Sequence, residues 1–192
     1  MKKVLFGLMF ACLLASAPAA RAQDGSGASV SYTENVLAEE VGKEVLYRRA
    51  LEWTESHFSY GPKTGAKADP AAGMVRVTGT GKVKPVATNG KEQEQTIRFD
   101  FVFRASDKGY EYSVGSFRLV PDPAKPDETV MLSDYIAKLA AERSNGKTFN
   151  DRRVTAQANN LASEAAMSFR SFMNTMPAAE ESTVGIPAND KD

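Results

Sequence analysis

The sequence contains one cysteine, one histidine and one tryptophan in 192 residues, and no apolar run long enough to cross a bilayer. Each shortage removes a class of chemistry. A lone histidine, His57, rules out a two-histidine metal site. The single Cys12 falls in the amino-terminal apolar stretch, so the rest of the chain has neither a disulfide nor a thiolate ligand. Basic and acidic residues number 24 each. That balance gives none of the basic surplus that nucleic acid or anionic lipid attracts.

What is present begins with an export pattern. Met1-Lys2-Lys3 is a short positive start, Val4 to Ala15 is an apolar stretch of 12 residues, and Ser16 to Ala22 is a small-residue segment with Pro18. Ala20 and Ala22 fit the two small sites of a cleavage signal, which predicts a mature chain starting at Gln23; Ala15-Ser16-Ala17 is the alternative site. As a helix the apolar stretch rises about 18 Å, short of the roughly 30 Å hydrocarbon core. Phe10 argues against Met9-Phe10-Ala11 as a lipoprotein cleavage box for Cys12. The predicted location is the periplasm or outer cell envelope, with no membrane span. Cleavage removes Lys2, Lys3 and Arg21 and leaves 170 residues carrying 21 basic and 24 acidic groups, a net charge of −3.

Residues 23–29 (QDGSGAS) read as a flexible spacer, 30–176 as one domain, and 177–192 as a disordered tail with few large apolar groups. Val30 to Val36 is a weak first strand. In Glu44 to Phe58 the residues Leu46, Tyr47, Ala50, Leu51, Trp53, Thr54, His57 and Phe58 share one helical face, opposite Glu44, Arg48, Glu52 and Glu55. Pro62 to Gly73 reads as a loop. Met74 to Val83 is a strand with Val75, Val77, Gly79 and Gly81 on one side, and Asn89-Gly90 marks a turn.

Thr96 to Arg104 alternates most clearly, with Ile97, Phe99, Phe101 and Phe103 inward and Thr96, Arg98, Asp100, Val102 and Arg104 outward toward solvent. In Tyr110 to Leu119 the parity changes: Tyr110, Tyr112 and Val114 lie on one face, while Phe117 and Leu119 fall on the other. An extra residue at Gly115-Ser116 restores all five to one face, which predicts a bulge there. An even-length loop at Lys108-Gly109 keeps Phe103 beside Tyr112.

After Pro121, Pro123 and Pro126, Ser133 is the expected N-cap of a helix with Leu132, Tyr135, Ile136 and Leu139, stopped at Asn145-Gly146. Asn150 or Asp151 caps the last helix, whose stripe is Val154, Ala158, Leu161, Ala162, Ala165, Phe169, Phe172 and Met176. The expected fold class is α+β: a curved antiparallel sheet of about four strands in β-α-β-β-β-α-α order, covered on one face by helices.

Three segments, Lys43 to Trp53 (KEVLYRRALEW), Gly73 to Gly81 (GMVRVTGTG) and Ile97 to Val114 (IRFDFVFRASDKGYEYSV), resemble the bacterial secreted domain-of-unknown-function family numbered 4468. The likeness runs from about Ser31 to Tyr135. Leu46, Tyr47, Ala50 and Trp53 carry its helix element, Gly79 and Gly81 its strand, and Asp107 to Tyr112 its turn. The resemblance implies a TBP-like fold and transfers no functional residue.

No catalytic, cofactor-binding or metal-binding set emerges from the residues, and the ligand-binding residues are not identified by sequence. His57 is expected to be packed near Trp53 on the apolar face. No serine sits in a nucleophile elbow. Gly79-Thr80-Gly81-Lys82 lacks the glycine spacing and the following helix of a phosphate loop. Asp122 with Asp127, and Glu180 with Glu181, fall where nothing desolvates them. Phe99, Phe101, Phe103, Tyr110, Tyr112 and Phe117 form an aromatic sheet face that is either filled by the last helix or left as a cleft. The expectation is a non-enzymatic binding or protein-interaction module of the envelope with an unknown protein partner, no cofactor and no nucleic acid. The alternative is a helix-grip carrier of a small apolar ligand.

Overall fold

The computed structural model describes residues 29–142 and 149–175. The spacer, the tail, Met176 and the Asn145-Gly146 stop lie outside these residues. Alternating apolar strands pair into one antiparallel sheet in the order β1 (Tyr32–Leu37), β5 (Gly109–Val120), β4 (Gln95–Ser106), β3 (Met74–Val83), β2 (Thr64–Asp69). β6 (Val130–Met131) pairs with the distal end of β5, beyond the stretch that β1 occupies. The sheet therefore has six strands where the sequence suggested four. β2 escaped notice because all six of its residues are exposed, so TGAKAD carries no alternation, and β6 is only two residues long.

The inward residues of β4 and β5 behave as their parity demands. Ile97, Phe99, Phe101 and Phe103 are fully buried, as are Tyr112 and Val114. The hairpin loop is Asp107-Lys108, which sets Phe103 opposite Tyr112. Between the pairs Asp100 with Gly115 and Arg98 with Arg118, β5 has one residue more than β4. This is the expected bulge, and Ser116 takes it up at φ 52°. Phe117 and Leu119 thereby return to the core face, and Phe117 stacks on Phe99 at 5.4 Å.

Helix α1 (Lys43–Glu52) buries Leu46, Tyr47 and Ala50, then widens into a π-turn over Trp53–His57. The Phe58 N–H donates to the Trp53 carbonyl, closing the five-residue turn and bringing the Phe58 ring edge-on to Trp53 at 5.3 Å. His57 is left exposed, its ring 4.6 Å from that of Phe172. The expectation that His57 packs beside Trp53 in the core is thus corrected. The wide turn gives that place to Phe58.

Helix α2 (Leu132–Ala141) starts one residue before the predicted cap. Met131 is the N-cap, and Ser133 sits inside the first turn facing Asp134. Helix α3 (Asn150–Asn174) buries Val154, Ala158, Ala162, Ala165, Ala166 and Phe169, and also Met173, which the predicted stripe did not include. Phe149, not Asn150 or Asp151, is its N-cap. Asn150 instead accepts from the Val86 N–H and donates to the Val86 carbonyl, both at 2.8 Å, while Val86 itself forms an isolated antiparallel bridge with Glu92. Among the described residues, no helix is long and apolar enough to cross a membrane.

Two glycines of β3 let the helical layer approach the sheet. A Cβ at Gly79 would lie 2.7 Å from the Phe58 ring and 2.8 Å from the Phe99 ring, whereas one at Gly81 would meet the end of the flexible Leu161 side chain. Gly79→Ala is expected to cost about 1–2 kcal/mol by overpacking. Gly81→Ala should cost less, since Leu161 has room to rotate. Urea midpoints for the two variants test this order, and equal losses would contradict it.

Candidate functional site

The helices cover one face of the sheet, so among the described residues the outer face is the surface that no regular element fills. Strand parity places Arg76, Thr78, Thr80 and Lys82 of β3, Arg98, Asp100, Val102 and Arg104 of β4, and Glu111, Ser113 and Arg118 of β5 on it. Lys67 of β2 joins them opposite Arg76. At the centre is Asp100, only 2% exposed. The expectation that Arg98, Asp100 and Arg104 form a uniformly wet row fails at this residue.

Neighbouring strands surround Asp100 with donors. Thr78 Oγ1 donates to its carboxylate at 2.7 Å, Arg76 Nη2 at 2.8 Å and Arg118 Nη2 at 2.8 Å. Burial alone would raise its pKa, but the Thr78 and Arg76 hydrogen bonds and the charges of Arg118 and Arg76 outweigh that and hold it below the ordinary aspartate value. Two guanidinium groups on one carboxylate leave a net positive charge. Arg118 Nε is buried with no acceptor among the described residues. Arg98, directly opposite Arg118, leans to Asp127 at 3.5 Å, and Lys82 pairs with Glu94 at 2.7 Å. Arg104 and Lys67 are exposed, and no ion pair engages either among the described residues. Arg104 and Glu111 line two open hollows of about 120 and 240 Å³ at the hairpin end of this face.

A second polar cluster lies on the inner side, at the sheet edge. Glu34 of β1 accepts from Tyr112 and from Tyr32, and pairs with Arg170 of α3. Burial, with Tyr32 beside it, pushes the Tyr112 hydroxyl well above its usual range. Tyr112 therefore stays a neutral donor, and the cluster fastens α3 to the edge strand. Arg49 makes a similar tie at the end of α3, donating to the Phe172 carbonyl at 2.7 Å and to that of Thr175.

The other sequence candidates are scattered. Gly79 and Gly81 pack against rings and Leu161 within β3. Asp122 and Asp127 lie on the exposed loop between β5 and β6, and Glu180 and Glu181 lie outside the described residues. Among the described residues no group of three or more His, Cys, Asp or Glu could hold a metal ion. The aromatic sheet face meets the helices directly: Phe169 lies 4.8 Å from Tyr112, 4.9 Å from Phe101 and 5.1 Å from Trp53. Sequence reasoning missed Arg76, Thr78 and Arg118 as partners of Asp100. Parity alone puts Arg76 and Thr78 on the outer face, Arg118 reaches it through the bulge at Ser116, and only register brings the three together.

Comparison with known proteins places this geometry. Residues 32–119 match the model of a domain of unknown function (DUF4468) with TBP-like fold. The crystal structure of a DUF4468 family protein from Bacteroides ovatus ATCC 8483 is similar at a TM-score of 0.50 and 10% identity, with 76% of this chain and 88% of that one covered. That of a TBP-like protein from Parabacteroides distasonis ATCC 8503 is similar at a TM-score of 0.48 and 16% identity, with 74% and 93% covered. At 10% identity the Bacteroides ovatus structure speaks to the fold alone. No curated protein matches the chain.

Proposed function

We propose, for a chain whose residues 32–119 match the model of the DUF4468 family with TBP-like fold, that it is an exported envelope protein acting as a non-enzymatic binding module through its uncovered sheet face. The observation that carries this reading is the Asp100 cluster. A carboxylate held by three donors fixes Arg76 and Arg118 in place on an open surface, and fixed charged groups bind without first losing side-chain freedom. Export rests on the three-part leader and its Ala20-Arg21-Ala22 site. A non-enzymatic role fits His57, whose exposed ring lies 4.6 Å from that of Phe172 at a tilt of 45°.

The carrier reading has less support. The rings that would line a cleft already touch Phe169 and Trp53.

Two measurements test the proposal. The intact mass of protein recovered from the envelope is expected to correspond to a chain starting at Gln23; a chain retaining Met1 would refute export. A photo-crosslinking side chain at Val102, on the outer face, is expected to capture a protein partner in intact cells, while one at the exposed Lys138 of α2 is not. Adducts from Lys138 alone would move the binding surface to the helices.

A further inference from the structure

We infer that the uncovered sheet face recognises carboxylates of an acidic, extended polypeptide segment, using Lys67, Arg104 and the free side of the Arg76 guanidinium. This rests on the sheet face being the binding surface, and adds the chemistry of its partner. The charges of the face divide into two groups. Asp100 is saturated by Thr78, Arg76 and Arg118, Lys82 is paired with Glu94, and Arg98 with Asp127. What remains is exposed Lys67 and Arg104, an Arg76 side chain that is 48% exposed and spends only Nη2 on Asp100, and the carboxylates of Asp69 and Glu111, so with Arg76 and Arg118 set against Asp100 the face keeps one positive charge in excess. A local cationic surplus on a chain of no net positive charge selects an acidic partner by complementarity.

The spacing selects its form. Lys67 is directly opposite Arg76, and Arg76 is directly opposite Val102, two residues from Arg104. Arg76 and Arg104 are therefore diagonal neighbours, about 7–8 Å apart. Alternate side chains of an extended segment recur at about 6.8 Å, so carboxylates on one side of such a segment meet both guanidinium groups. Asp69 and Glu111 flank the same cations, in the row of Arg104. They interrupt any continuous track for a phosphate backbone, while leaving discrete carboxylates room between them.

The test uses the mature protein and a fluorescein-labelled oligoglutamate peptide, read by anisotropy. Binding is expected at about 20 mM salt and should weaken several-fold at about 200 mM. Lys67→Glu with Arg104→Glu is expected to weaken it by about tenfold or more. Arg48→Glu with Lys138→Glu makes the same change in net charge on the helical side, and is expected to stay within about twofold of the parent. An unchanged urea midpoint verifies that each variant is folded. Equal losses in both double variants, or tighter binding of a single-stranded oligonucleotide of equal charge, would overturn the inference. Absence of peptide binding would overturn it too. Persistence of the Val102 crosslink in the Lys67→Glu, Arg104→Glu variant would then leave the sheet-face reading standing without its acidic partner, whereas loss of that crosslink from the parent protein removes both.

Discussion

Alanine at Phe169 is expected to cost the fold about 3–5 kcal/mol, a large share of the roughly 5–15 kcal/mol that holds a domain together. Phe169 is fully buried and is the point where helix α3 enters the aromatic layer of the sheet. Its ring contacts Trp53, Phe101, Phe103, Tyr110 and Tyr112. The void left by truncation cannot close by bringing α3 nearer, because Ala158, Ala162, Ala165 and Ala166 already bring its backbone close to the sheet. Nor are Phe101, Phe103, Tyr110 and Tyr112 free to collapse, since they stand on the central strands β4 and β5, each paired on both sides. The single tryptophan, Trp53, reports the result: a urea transition followed by its emission should move to much lower denaturant, with a red-shifted folded spectrum. A loss under about 1 kcal/mol would mean that the site is already loosely filled, and would revive the ligand-carrying cleft.

This core was largely legible in the sequence because burial imposes periodicity. The triple phenylalanine of β4 and the alanine-to-phenylalanine stripe of α3 each record which face lies against the other. The parity conflict between Val114 and Phe117 even gave the position of the bulge. Strand β2 left no such record, since an edge strand with every side chain in water places no demand on polarity. The π-turn after Glu52 was also hidden: Trp53, Thr54, His57 and Phe58 fit a regular helix equally well, and only the Phe58-to-Trp53 hydrogen bond distinguishes the two. The caps were misjudged for a related reason. Ser133 and Asn150 have the right side chains, but tertiary contacts, not local propensity, decided where each helix began.

The polar face was half legible, and the missing half is a matter of register. Alternation assigns Arg76, Thr78, Arg98, Asp100 and Arg104 to the outer surface without saying which neighbours meet. For Arg118 even the face depends on the bulge: without the extra residue at Ser116, counting by twos from Val114 would turn Arg118 into the core. One inserted residue therefore does two things. It keeps Phe117 and Leu119 in the core and delivers Arg118 to Asp100. The cost of this arrangement is that Arg98 and Arg118 stand directly opposite one another, a like-charge pair that is unfavourable unless something neutralises it.

Asp100 is what neutralises it, and Asp100→Ala should lower stability by about 2–3 kcal/mol, the range for hydrogen bonds to charged groups. The figure stays below that for a fully buried pair because Arg76 and Arg118 are 48% and 29% exposed and can turn part of their charge to water. Asp100→Asn keeps the shape and one acceptor and should lose about half as much. The acid limb of stability separates charge from shape. Hydrogen bonds and the two arginines set the folded pKa of Asp100 below the unfolded value of about 3.9, so its contribution is complete above about pH 4. It is lost as pH falls through the lower folded value. Between those two values the parent protein should lose stability faster than Asp100→Asn, and the two curves should converge at the acid end. Parallel curves would remove Asp100 as a source of acid sensitivity. Adding Arg118→Leu to Asp100→Ala should recover part of the loss, because the Arg98–Arg118 repulsion and the unpaired Arg118 Nε disappear together. Strict additivity of the two substitutions would mean that the carboxylate and the guanidinium stabilise the sheet independently, and that the bulge serves the core alone.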